Sequence, residues 1–156
     1  EMMWGKELNT FLSSFQSVDI GDQEASNFIK YFRNQFLEAY PDGTQYRFRS
    51  YTFHPSIESS ADFRIENLFY RFNWVRPLSA DSLLHSCLNI EKYYSDYNSD
   101  KLNSILKPRQ YHFMYDIDKR NGWYVRNDYS TFKTTNVLAE IIFTEFVNDL
   151  KKHFIS

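Results

Sequence analysis

"TQYRFRSYTFHPSIESSADFRIENLFYRFNWV", residues 44–75, is where a helical rhythm gives way to a period of two. Successive strand side chains point to opposite faces, so rings alternating with charged residues mark half-buried strands. Residues 44–54 read as one strand and 61–75 as a second, with "PSIESS" (55–60) connecting them. The second run is long for a strand, and its apolar phase slips. Phe63 and Ile65 point one way, whereas Leu68, Tyr70, Phe72 and Trp74 point the other. An extra residue near Glu66-Asn67, a β-bulge, brings both sets onto one face.

Upstream of this stretch the 3.6-residue period dominates. Trp4, Leu8, Phe11, Leu12 and Phe15 predict an amphipathic helix over 3–17. Ala25, Phe28, Ile29, Phe32 and Phe36 predict a second over 22–39, with Asp22 as its N-cap and "YPDG" (40–43) as its stop. Downstream, Pro77 ends the strand and Ser79 caps a helix to Tyr94, with Leu83, Leu84, Cys87 and Leu88 on its apolar side. "SDYNSD" (95–100) is a loop and "KLNSILK" (101–107) a short helical turn. "QYHFMYDIDKRNGWYVRNDYSTF" (110–132) reads as a hairpin turned at Asn121-Gly122. Thr135 or Asn136 caps a last helix to Phe154, whose "VLAEIIF" half is apolar almost all round and is expected to be central to the core. The expectation is a single α+β domain over 1–156. It has two hairpins in a mainly antiparallel sheet, helices on one face, and element order ααββα(α)ββα.

Composition supports a packed core. The chain has 156 residues, 19% of them aromatic, with four Gly and four Pro, the opposite of a disordered chain. A chain of this length buries roughly two-thirds of its unfolded surface. No apolar run approaches the ~20 residues that span a bilayer, and a single cysteine, Cys87, allows no intrachain disulfide. Both fit a cytoplasmic protein. Glu1 ahead of Met2-Met3 is not a natural start and reads as an internal boundary or a cloning remnant.

The net charge of −2 excludes a generic polybasic partner for nucleic acid or acidic lipid. Residues 1–43 carry three basic and seven acidic side chains, whereas 44–76 carry five Arg and three acids. An anion-seeking surface is therefore expected within 44–76.

Catalytic constellations are hard to write. Glycines at 5, 21, 43 and 122 make no phosphate-cradling loop, and one Cys with four scattered His gives no zinc spacing. A Cys87–His112 nucleophile pair is disfavoured by the placement of Cys87 on an apolar side. Asp116 and Asp118 share a strand face and suit a hard divalent cation. A turn-starting Asp118 and a cross-hairpin pair of Asp116 with Arg126 explain them more simply. No strand acid is followed two residues later by Lys, so the nuclease pattern is missing. No cofactor and no metal is expected.

The remaining feature is the interleaving of Arg47, Arg49, Arg64, Arg71 and Arg76 with nine aromatics across 44–76. Alternation should send rings inward and guanidiniums outward, making a charge lattice of Arg47, Arg49 and Arg64 with Asp62 and Glu66. Tyr51 and Phe53 share the parity of Arg47 and Arg49, and Arg71 completes the set. Two functional readings follow. The first is a non-enzymatic protein-binding module, chaperone-like or immunity/inhibitor-like, whose partner is another protein or a second copy in a homodimer. The second is a nucleic-acid-binding domain using the 44–76 hairpin, accessory to a nuclease or polymerase. In element order the chain resembles small acidic partner-binding proteins such as secretion chaperones and toxin-neutralising immunity proteins. That likeness carries no residue across.

Overall fold

The computed structural model describes residues 20–40, 45–51, 54–75, 87–95, 99–116, 121–125 and 128–152; for 45–51, 54, 55, 99 and 129 only the backbone is described. The described elements are α1 (Ile20–Ala39), β1 (Gln45–Tyr51), β2 (His54–Ile65), β3 (Leu68–Val75), β4 (Cys87–Tyr94), α2 (Ser99–Asn103), β5 (Gln110–Asp116), β6 (Gly122–Val125), β7 (Asp128–Lys133) and α3 (Thr135–Leu150). The strands form one antiparallel sheet in the order β1-β2-β3-β4-β5-β6-β7, so every strand pairs with its neighbours in sequence. The α+β class with an antiparallel sheet holds. The first predicted helix, 3–17, lies outside the described residues.

Three sequence expectations within 54–94 are corrected. The run 61–75 is not one bulged strand. Ile65 pairs with Leu68 across a two-residue turn at Glu66-Asn67, and Glu66 takes a φ of 52°, the positive φ that such hairpin turns require. The turn reverses the chain, so Phe63 faces Tyr70 and Ala61 faces Phe72 in register. That is why the apolar phase slipped. "PSIESS" is likewise strand, paired with β1 through two register shifts beside Ser50. Finally, 87–94 is strand rather than helix. Its inward set is Leu88, Ile90, Lys92 and Tyr94, each fully or almost fully buried.

The last two strands also divide differently. The stretch 110–132 is a three-strand meander. Asn121 has a φ of 56°, while Gly122 pairs with Asp116 and begins β6. A Cβ at Gly122 would lie 2.8 Å from the Lys133 carbonyl oxygen and 2.4 Å from Phe132 Cζ. Glycine is required there because β7 approaches closely.

Both long helices cover the same face of the sheet. The five apolar residues predicted for α1 are all fully buried. Phe32 is their hub, with ring centroids 4.7 Å from both Phe63 and Phe72, 5.6 Å from Phe143 and 6.0 Å from Phe146. Asp22 does not cap α1. It lies inside the first turn, fully buried, and accepts a hydrogen bond of 2.7 Å from Trp74 Nε1. Nor is the N-terminal half of α3 buried all round. Leu138, Ala139 and Ile142 face the sheet, while Val137 and Ile141 are exposed.

At the far end of this face sits a buried charge. Lys92 is fully buried, with its Nζ 3.1 Å from Glu145 Oε2 and 3.4 Å from Asp149 Oδ2. Its ammonium also lies 5.6 Å from the centre of the Tyr70 ring. Tyr70 donates to Asp149, and Tyr111 donates to Glu145 Oε1 at 2.5 Å. An isolated buried ammonium costs several kcal/mol, so two carboxylates one helical turn apart are what let Lys92 occupy an inward position. Burial and then the neighbouring acids push both phenols well above their ordinary range.

Candidate binding face of the sheet

The face turned away from α1 and α3 is built in cross-strand rows. One row aligns Arg64, Phe69 and Tyr93, and the next Asp62, Arg71, Glu91 and Gln110. A third holds Ser60, Asn73, Asn89 and His112, and a fourth Val75, Cys87, Met114 and Tyr124. Because side chains alternate, each row is one position out of phase with the rows beneath the helices, and in the fourth row Cys87 and Met114 are themselves buried.

The first two rows form a compact patch. Phe69 and Tyr93 are stacked, with centroids 4.9 Å apart and planes 6° from parallel. The Arg64 guanidinium lies 5.3 Å from the Phe69 ring centre and that of Arg71 5.5 Å from the Tyr93 ring centre. Both distances are within cation–π range. Arg71 also forks onto Asp62, with Nε 2.8 Å from Oδ1 and Nη2 3.4 Å from Oδ2, and donates to the Tyr93 hydroxyl at 3.1 Å. The Asp62 carboxylate raises the Arg71 guanidinium above its usual value. Burial raises the Tyr93 phenol, opposed by the adjacent Arg71 charge. Arg64 instead donates from Nε to the Glu66 carbonyl oxygen at 2.6 Å, tying its stem to the turn.

The expected site residues are thus partly assembled. Arg64 and Arg71 share this face, and Asp62, expected to pair with Arg47, Arg49 and Arg64, is held by Arg71. The register aligns the backbone of Arg47 with Asp62 and of Arg49 with Ser60. The side chains of Arg47, Arg49 and Tyr51, and all of Phe53, lie outside the described residues. Phe69 and Tyr93 were not expected here. Phe69 shares the parity of Arg71 and takes the outward side with either a bulge or a turn at Glu66-Asn67, whereas Tyr93 takes it only once 87–94 is strand.

The enzymatic arrangements take definite positions too. Cys87 Sγ lies 3.4 Å and His112 Nδ1 2.5 Å from the Asn89 side-chain oxygen, placing an amide between thiol and imidazole. An amide oxygen only accepts, so the thiol donates to it. Asp116 is not on a wet face; it is buried, 7% exposed. Asp118, Arg120 and Arg126 lie outside the described residues. Among the described residues no three His, Cys, Asp or Glu side chains gather as a metal site would. Nor is any described helix long and apolar enough to cross a membrane.

No protein-family model, no characterised protein and no solved structure matches this chain.

Proposed function

We propose that this chain is a non-enzymatic protein-binding module of the cytoplasm that meets its partner through the open face of the sheet. The observation that carries the reading is the stacked Phe69–Tyr93 pair flanked by the Arg64 and Arg71 guanidiniums. Tyr, Phe and Arg are enriched at protein interfaces, where flat rings supply contact area at low entropic cost. Stacking and the Asp62 fork hold the rings and the Arg71 fork in place before any partner arrives, which lowers the ordering cost of binding. The patch suits a flat partner surface bringing a carboxylate to Arg64 and apolar groups to the ring edges. A second copy of the chain is one such partner.

Nucleic acid is the second reading, favoured by rings and guanidiniums sharing one exposed face. Against it stands Asp62. A carboxylate forked onto Arg71, with Glu91 next in the row, cancels much of the field a phosphate backbone needs.

The test compares the wild type with a Phe69→Ala/Arg71→Glu variant. Sedimentation gives the oligomeric state, affinity capture from the native cell gives partners, and fluorescence anisotropy follows labelled single strands. A stoichiometric partner or homodimer lost in the variant is the expected result. Wild-type binding to single strands that weakens steeply with salt would move the assignment to nucleic acid. Capture unchanged in the variant would remove this face from the reading.

A further inference from the structure

Two sulfur-bearing side chains meet on the open face where the sheet is dry. Cys87 of β4 and Met114 of β5 face each other across the ladder, and both are buried, 7% and 5% exposed. One row along, Asn89 faces His112, which is exposed. We propose that Cys87, Met114 and His112 form a binding site for a soft monovalent metal ion, Cu(I). It goes beyond the protein-binding reading and uses none of the residues of the Phe69–Tyr93 patch, so either can fail alone.

Strand geometry brings the three donors together. Residues two apart on a strand share a face, so Cys87 and Asn89 project from the same side of the sheet as Met114 and His112. The Cβ atoms of facing residues stand roughly 4.5–5.5 Å apart. Thiol and imidazole already converge on one atom. Cys87 Sγ lies 3.4 Å and His112 Nδ1 2.5 Å from Asn89 Oδ1. Turning the Asn89 carboxamide aside frees the gap between sulfur and ring nitrogen for an ion. Met114 reaches it from across the ladder, and an unbranched thioether adapts its torsions to the ion. His112 is the wet end of the site, and the two sulfurs are the dry end.

The donors select the ion. Thiolate and thioether prefer soft metals, and imidazole suits copper as well. Zinc draws on Cys, His, Asp and Glu and closes a structural site with four of them. Among the described residues no three such side chains gather. Hard cations such as Mg²⁺ and Ca²⁺ need oxygen ligands. Charge points the same way. Cu(I) takes the place of the thiol proton, which leaves to solvent, so ion and thiolate together are neutral and tolerate a dry setting. A divalent ion on the same three donors carries an uncancelled charge into it. His112 ligates through Nδ1 with its one proton on Nε2. A bare thiol also takes up Cu(I), so what Met114 and His112 add is what marks a site.

The test is an anaerobic titration of the whole chain with Cu(I) buffered by bicinchoninate, followed by NMR at the Met114 methyl and the His112 ring and repeated with Zn(II). The wild type is expected to take one Cu(I) per chain from the chelator, to shift both signals, and to keep the ion against equimolar Zn(II). Met114→Leu conserves volume, and His112→Gln alters an exposed side chain. Each should weaken binding on the order of tenfold or more, and Cys87→Ser should abolish it. Should a variant misfold, the wild-type shifts at Met114 and His112 still decide. No uptake from the chelator overturns the assignment, as does displacement of the ion by Zn(II). So does uptake that leaves both signals unmoved or is unchanged in the folded Met114 and His112 variants, which would mean an adventitious ion only.

Discussion

The two faces of the sheet are made by the same strands and obey opposite rules. Beneath the helices, several buried polar groups are partnered from α1 or α3: Lys92 by Glu145 and Asp149, Trp74 by Asp22, Trp123 by Thr135. On the open face, charge is ordinary, and it is the rings that need a partner. Phe69 and Tyr93 find each other and two guanidiniums. Burial thus sets which kind of side chain must be satisfied. The covered face holds the fold together, and the open face is the one we propose for recognition.

If that division is right, substitutions on the covered face should cost most. Phe32→Ala empties the hub of the aromatic cluster and is expected to lose about 3–5 kcal/mol in denaturant unfolding. Lys92→Ala should lose a comparable amount, about 3–5 kcal/mol, because two acids are left facing each other without their cation. Lys92→Met should lose less when Glu145→Gln and Asp149→Asn accompany it. If Lys92→Ala costs under about 1 kcal/mol, the two faces do not differ as described.

Gly122→Ala tests the sheet's far side. The new methyl meets the Lys133 carbonyl at 2.8 Å, so a loss of about 1–3 kcal/mol is expected. A pH series sharpens the contrast further. Tyr94 and Tyr115 are raised from 10.0 to about 12 by burial, and Tyr70 and Tyr111 higher still. A phenol whose folded value exceeds its unfolded one stabilises fully below pH 10 and loses that contribution as pH rises toward the folded value. Thermal melts should therefore be flat up to about pH 10 and fall steeply above it. Tyr111→Phe should make the fall shallower. The smallest effect belongs to the open face. Arg71→Ala and Tyr93→Ala should each cost under about 1 kcal/mol while impairing partner binding, a separation that stability and binding assays on the same samples can check.

How much of this was legible depended on whether local pattern and burial agreed. In α1 they did, and the five apolar positions at helical spacing are all fully buried. At Glu66-Asn67 the turn was hidden because neither residue is glycine. The phase slip on either side was the true signal, and a bulge explains it as well as a reversal does. Strand β4 was hidden for two reasons. Leu84 and Leu88 stand four apart, as on a helix, and the inward parity of 88–94 contains Lys92. A lysine in a buried row reads as an error until Glu145 and Asp149, more than fifty residues away, are brought beneath it. No local rule carries that information. Of the candidate site, Arg64 and Arg71 were found from their alternation, Phe69 shares the parity of Arg71 and was overlooked, and Tyr93 depended on the missed strand β4.

The strand order has a kinetic corollary. Each hairpin closes between chain neighbours, so the sheet is able to zip progressively without any long loop being closed early. The contacts that span the described chain join α1 to α3, Glu24 to Thr135 across 111 residues and Phe32 to Phe143 and Phe146 at the aromatic hub. Truncation before α3 should leave a sheet that still pairs locally yet lacks its seal.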